Sequence, residues 1–329
     1  VVLIVLGKAQ RAVSGVDVVL TWATTNGSNA DSLLNAVAPG DFTQVGATVV
    51  TIGAGSLTAD LPVVSAEDGI DEYDEGMILN VTGVTGATPA SLNANGTITD
   101  DEVAPQIYIG DVSIGEGATG EFLVTLTAIS GLDVVFSWAT ANNTATQPAD
   151  YSQVALTAVT IPAGSLSISL VVVTNQDALN EGSESFYVNL SGLVAATVGN
   201  SQGEATIVDD DGPPQILISD ASESEGGTLT FVVTLTSISG LDVSFDFVTA
   251  DGVATTAESD YTGIASTNVT IPAGSLSYSI QVISLQDVLN ESDETFLATL
   301  SAATNAVILD GTGVGTIMDD DAEPNLVIS

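Results

Sequence analysis

Carboxylates are the only abundant reactive groups in this chain. It carries 42 Asp and Glu against 2 Lys and Arg, with no His and no Cys. Lack of His removes the usual general base and the commonest transition-metal ligand. Lack of Cys removes disulfides, thiolate nucleophiles and thiolate zinc sites. Ser and Thr are plentiful, but no His or suitably placed Lys can activate one, so the chain reads as a non-enzyme. Carboxylate pairs can cleave glycosides, yet no repeat unit offers a long cleft-forming insertion. Hard oxygen ligands suit Ca²⁺ or Mg²⁺. A net charge of −40 excludes a phosphate-binding surface, and with it ordinary nucleic-acid recognition. So much uncompensated charge needs counterions or bound cations in a compact state. Divalent cation at high concentration is an extracellular condition, which makes a secreted or cell-surface location the expectation. No apolar run is long enough to span a membrane.

The elements that position these acids repeat along the chain. Gly131-Leu-Asp-Val134 recurs as Gly240-Leu-Asp-Val243, and Gly15-Val-Asp-Val18 is an earlier copy. Ile161-Pro-Ala-Gly-Ser-Leu166 returns as Ile271-Pro-Ala-Gly-Ser-Leu276 and as Ile52-Gly-Ala-Gly-Ser-Leu57. Each copy ends in acids, at Ile98-Thr-Asp-Asp-Glu102, Ile207-Val-Asp-Asp-Asp211 and Ile317-Met-Asp-Asp-Asp321. These repeats define units at 1–104, 105–213 and 214–323, with 324–329 left over.

Within each unit the apolar period is two. Leu229, Phe231, Val233 and Leu235 alternate with polar neighbours, as do Val243, Phe245 and Phe247, and again Leu276, Tyr278, Ile280 and Val282. The third unit is predicted to have strands near 215–219, 228–236, 242–249, 267–271, 276–284, 295–301 and 313–318. About seven short strands per unit read as an all-β chain of tandem immunoglobulin-like antiparallel β-sandwiches. Because successive strands alternate in direction, every second loop and the residues after the last strand gather at one tip. That tip collects Glu225, Asp260, Asp287, Glu291, Asp319, Asp320 and Asp321. The second unit repeats the set with Glu116, Asp150, Asp177, Glu181, Asp209, Asp210 and Asp211. Converging carboxylates without a nearby cation are costly to keep ionised. Ca²⁺ relieves that cost, and it tolerates irregular cages better than Mg²⁺.

The combination Pro-x-Ile-x-Ile, Glu-Gly, Asp-Tyr, Ile-Pro-Ala-Gly, Asp-x-x-x-Glu-x-x-Glu-x-Phe and Asp-Asp-Asp resembles the Calx-beta domain, known from sodium–calcium exchangers and large bacterial surface proteins. The resemblance covers nearly all of the second and third units and most of the first. It implies a sandwich binding a cluster of Ca²⁺ ions through the two acidic sets named above. By matching position it adds Asp41, Asp68, Glu72, Asp100 and Asp101 in the first unit. There the third terminal acid is Glu102, and the glutamate of the first loop has no counterpart. Gln176 and Gln286 stand where the exchanger domain has a second carboxylate. These departures point to fewer or weaker ions.

Trp22 and Trp138 occupy equivalent strand positions and are expected in the core. Sequons at Asn26, Asn80, Asn95, Asn142, Asn189, Asn268 and Asn290 make glycans candidate partners. Lys8 and Arg11 are the only cations. The first unit lacks its opening strand, whereas Pro324-Asn-Leu-Val-Ile-Ser329 matches the opening strands at Pro105-Gln-Ile-Tyr-Ile-Gly110 and Pro214-Gln-Ile-Leu-Ile-Ser219. Either 324–329 completes the first unit of another copy by donor-strand complementation, or the chain is a window on a longer array. The expected partners are therefore copies of itself or further repeats of the same chain, with neither nucleic acid nor membrane insertion. The functional expectation is an extracellular filament, stalk or adhesin shaft made rigid by Ca²⁺. The alternative is a calcium-dependent binding module, either a carbohydrate-binding adhesin or a calcium-sensing regulatory domain.

Overall fold

The computed structural model of the chain describes residues 3–5, 12–27, 34–35 and 40–327. Among these residues the regular structure is entirely β. The first unit holds β1 (Leu3–Val5), β2 (Val18–Asn26), β3 (Leu34–Asn35), β4 (Thr48–Ile52), β5 (Pro62–Val64), β6 (Glu75–Thr85) and β7 (Asn93–Ile98). The second holds β8 (Gln106–Ile109), β9 (Val112–Gly115), β10 (Thr119–Leu126), β11 (Val134–Asn142), β12 (Thr157–Ile161), β13 (Ser167–Val173), β14 (Glu184–Val194), β15 (Thr197–Asn200) and β16 (Gln202–Val208). The third holds β17 (Gln215–Ile218), β18 (Ala221–Ser224), β19 (Thr228–Leu235), β20 (Val243–Ala250), β21 (Thr267–Ile271), β22 (Ser277–Ile283), β23 (Glu294–Thr304), β24 (Val307–Asp310) and β25 (Thr312–Met318).

The second and third units are the same sandwich. One sheet runs β13-β10-β8-β15, or β22-β19-β17-β24, and the facing sheet runs β12-β11-β14-β16-β9, or β21-β20-β23-β25-β18. Alternate residues point inward, as the period-two pattern requires. Leu229, Phe231, Val233 and Leu235 of β19 are buried, and so are Val243, Phe245 and Phe247 of β20. Phe296 stacks on Tyr261 with ring centroids 4.2 Å apart, and Phe186 stacks on Tyr151 at the same distance. Each unit has its own core, and Trp22 and Trp138 are both buried. The pattern over-reached at 276–282, where Ile280 and Val282 of β22 are buried but Tyr278 and the preceding Leu276 are exposed. This strand lies at a sheet edge, where one flank has no neighbour to cover it.

Nine strands replace the predicted seven, and the sheets are not purely antiparallel. The opening strand divides at Asp111, or Asp220, and its second half crosses to the other sheet. There β9 pairs parallel with β16, and β18 with β25. The aspartate at the crossing anchors the last strand, its Oδ1 accepting from Glu204 N at 2.8 Å or Val314 N at 2.7 Å. First and last strands of the unit run the same way, so their pairing must be parallel. The inserted β15 and β24 likewise pair parallel with β8 and β17.

The first unit differs. β10 is flanked by both β13 and β8, whereas β1 pairs with β5 and, among the described residues, has no second neighbour. Lys8, Arg11 and Ile328 lie outside the described residues. Leu326 and Val327 are exposed. No helix of the described residues is long and apolar enough to cross a membrane.

Candidate metal centre

The parallel pairing of β18 with β25 is what brings the first-loop glutamate to the terminal acids. Glu225 N donates to Met318 O at 3.1 Å, which sets Glu225 beside the segment that starts at Asp319. Glu116 N does the same with Val208 O at 3.2 Å. As a result Glu225, Asp319 and Asp321 hold carboxylate oxygens within 4.8 Å of one another, and so do Glu116, Asp209 and Asp211. In these triads Asp209 Oδ1, Asp211 Oδ2 and Asp321 Oδ2 are buried with no hydrogen-bond donor. A buried acceptor without a donor is destabilising by about 1–3 kcal/mol, and more when charged. A bound cation would satisfy such converging acceptors at once.

The remaining acids are held ready by their own backbone. Asp177 Oδ1 accepts from Leu179 N at 2.8 Å, and Asp287 Oδ1 from Leu289 N at 2.7 Å. Asp260 Oδ2 accepts from Thr255 N at 2.7 Å, and Asp150 Oδ2 is bound the same way by Thr146 N. Asp319 Oδ1 takes Glu291 N at 3.2 Å, and its Oδ2 takes Asn290 Nδ2 at 3.1 Å. Asp210 and Asp320 stand apart from the triads. Each is held by a glutamine amide, Gln176 Nε2 or Gln286 Nε2, at 3.0 Å.

Three glutamates that motif reading passed over belong to the site. Glu184 and Glu294 open β14 and β23 and hydrogen-bond to Asp150 and Asp260. Glu75 opens β6 and hydrogen-bonds to Asp41. Each is the second glutamate of Asp-x-x-x-Glu-x-x-Glu. The signal was available, because Glu184 shares its strand face with buried Phe186 and Val188 and so lies at the mouth of the core. Burial first, then the bonded aspartate and its charge, push Glu75 and Glu184 up to about 7. Glu294 is pushed up to about 7 as well, by burial and then by the charge of Asp260. Glu116 reaches about 7 through burial and then the charges of Asp177 and Asp209.

The first unit builds its site differently. Asp41, Glu72 and Glu75 form one triad, and Glu67, Asp101 and Glu102 a second. Glu67 occupies the position of Gln176 and Gln286, so a carboxylate enters where the other units have an amide. It restores the negative charge lost with the missing first-loop glutamate. Asp68 and Asp100 line the same cavity of about 130 Å³. Asp100 Oδ1 accepts from Glu72 N at 3.1 Å, and Asp68 Oδ1 from Ile70 N at 2.8 Å.

The acidic loop also forms the joint to the next sandwich. Gly240 N donates to Asn180 O at 3.0 Å, and Gly131 N to Asp71 O at 3.0 Å. Single parallel bridges link Asn180 to Ser239 and Asp71 to Ser130. A Cβ on Gly240 would lie 2.7 Å from Glu181 Cγ, and one on Gly131 2.6 Å from Glu72 Cγ. Gly131 and Gly240, the glycines of the second and third Gly-x-Asp-Val corners, are therefore each the seat of a glutamate from the preceding tip.

The sequence profile of the Calx-beta domain matches residues 99–211 and 217–321, about two thirds of the chain. Residues 1–98 lie outside that match. Among solved structures, the calcium binding domain CBD12 of CALX1.1 is similar at 17% identity over 60% of this chain and 79% of that chain, with a TM-score of 0.32. The apo-form Calx CBD1 domain is similar at 17% identity over 33% of this chain and 100% of that chain, with a TM-score of 0.31. No curated protein sequence matches.

Proposed function

This chain belongs to the Calx-beta domain family, whose domains bind Ca²⁺, and we propose that it is an extracellular structural protein whose joints are stiffened by that ion. The observation that carries this reading is the double use of one loop. Residues 177–181 supply Asp177 and Glu181 to the acidic tip, while Asn180 in between bonds to the next sandwich. An ion that holds both carboxylates also fixes the backbone that forms the joint. Without the ion, repulsion among the acids acts directly on that loop. Such a string of sandwiches suits a filament, stalk or adhesin shaft. Catalysis has no part in this reading, since the polar cluster is occupied with holding cations.

Head-to-tail growth by strand donation belongs to the same proposal. In the second unit β8 covers the free flank of β10, and residues 324–329 have the sequence pattern of that strand. Electron micrographs of the purified chain test this reading. Straight end-to-end rods are expected in Ca²⁺ and limp or dissociated ones in chelator. Identical images in both conditions would remove calcium from the structural role.

Single ligands separate a site from bulk charge. Glu294→Gln and Asp287→Ala are expected to weaken Ca²⁺ binding to the third unit by about tenfold or more, as measured by calorimetric titration. Ser277→Ala, on the exposed edge strand β22, should leave it unchanged. Equal effects from all three would mean that the ions form only a diffuse atmosphere.

A further inference from the structure

The middle acid of the terminal triplet is kept out of the triad in two of the three units. Asp209 and Asp211 are half-buried and converge with Glu116, whereas Asp210 between them is exposed and outside the triad. Asp319, Asp320 and Asp321 divide in the same way. A glutamine meets the middle acid instead. Gln176 Nε2 lies 3.0 Å from Asp210 Oδ1, 3.3 Å from the Asp177 carbonyl oxygen and 3.5 Å from Glu116 Oε2. Gln286 Nε2 has the same three distances, to Asp320 Oδ1, the Asp287 carbonyl oxygen and Glu225 Oε2.

Three oxygens gathered around one nitrogen resemble the surroundings of a hard cation. Carboxylate and carbonyl oxygens only accept, so the amide must turn Nε2 toward them and Oε1 away. The seat accommodates that orientation. A Cβ on Gly117 would lie 2.8 Å from Gln176 Oε1, and one on Gly226 2.9 Å from Gln286 Oε1. Both glycines also have left-handed φ, at +64° and +70°. The Glu-Gly pair of the first loop thus supplies a glutamate to the triad and room for the glutamine beside it.

The first unit has a carboxylate where the other two have the amide. With Glu67 at that position, the middle acid Asp101 joins a triad of its own, and Glu67, Asp101 and Glu102 hold carboxylate oxygens within 4.8 Å of one another. The cavity at this tip measures about 130 Å³, against about 10 Å³ at the tip of the third unit. One pair of positions is therefore amide and carboxylate in two units and carboxylate and carboxylate in the remaining one.

We infer that Gln176 and Gln286 hold by hydrogen bonding the place of a further cation, and so limit the number of ions that their tips take. The second and third units load Ca²⁺ at the triad and leave Asp210 and Asp320 to the amide. That amide also ties the first loop to the terminal acids before any ion binds, where a carboxylate in its place would repel them. The inference rests on Ca²⁺ binding by the acidic tips and adds the residue that limits it.

Counting the Ca²⁺ held by the whole chain in equilibrium dialysis tests the inference. Gln286→Glu should raise the count by about one ion per chain, because a carboxylate replaces the donor among hard oxygen ligands. Asp320→Asn should leave the count at the wild-type value. Gln286→Glu combined with Asp320→Asn should lose the gain. Glu67→Gln makes the reverse change in the first unit without adding charge, and it should lower the count by about one ion. A count moved by neither Gln286→Glu nor Glu67→Gln overturns the inference and leaves the triads standing as sites. Loss of an ion in Asp320→Asn also overturns it, since the middle acid would then be a ligand. A wild-type chain that takes up no Ca²⁺ overturns the inference together with the calcium reading.

Discussion

Removal of Ca²⁺ is expected to lower the melting temperature of this chain by about 10 °C or more. A ligand that binds only the folded state stabilises it by about 2.7 kcal/mol at a hundredfold excess over Kd. For a domain of this size each kcal/mol moves the midpoint by about 4–8 °C. The ion replaces donors that the fold does not supply, as the buried oxygens of Asp209, Asp211 and Asp321 show. The same removal should loosen the joints, because Glu72 and Glu181 touch both the acidic tip and the next unit. Scanning calorimetry reads the first effect and the maximum dimension from small-angle scattering reads the second. Unchanged melting and unchanged dimension after chelation would sink the structural role of the ion.

The pH dependence of stability should invert when the ion is removed. Glu75, Glu116, Glu184 and Glu294 are pushed up to about 7 in the fold, against about 4.5 in an unfolded chain. Between those values the metal-free fold holds protons that the unfolded chain has released. Stability is therefore fully present below about pH 4.5 and is lost as pH rises through about 7. The Ca²⁺-depleted chain should melt several degrees higher at pH 5.5 than at pH 7.5. With saturating Ca²⁺ the ion displaces those protons, and acid weakens its binding. The loaded chain should therefore melt higher at pH 7.5. Parallel pH profiles for both forms would mean that these glutamates neither hold protons in the empty site nor bind the ion.

The all-β architecture was legible because its determinants are local. A side-chain period of two is visible in any strand, and the recurring Ile-Pro-Ala-Gly-Ser-Leu turns mark the repeat without knowledge of contacts. The acidic tip was legible for the same reason, since strand alternation alone sends every second loop to one end. The parallel β9–β16 and β18–β25 pairs were not, because nothing local says that a strand will change sheets halfway. That change decides the site, as it carries Glu116 to Asp209 and Glu225 to Asp319. Glu184 and Glu294 were passed over because they read as the first residues of strands. Their role depends on Asp150 and Asp260, which arrive from a loop far away in sequence. Glu67 was passed over because its worth follows from the company of Asp101 and Glu102.

Composition and spacing by themselves determined that this is an acidic chain of repeated sandwiches whose converging carboxylates suit oxygen ligation of hard cations. Only the tertiary structure decided which carboxylates converge and what the Gly-x-Asp-Val corners are for. A strand's face is set by its own residues, two apart. The need for a glycine at 131 or 240 is set by the Glu72 or Glu181 side chain pressed against it from the unit before. Steric exclusion of that kind acts between atoms close in space, and it leaves no periodic mark on the chain.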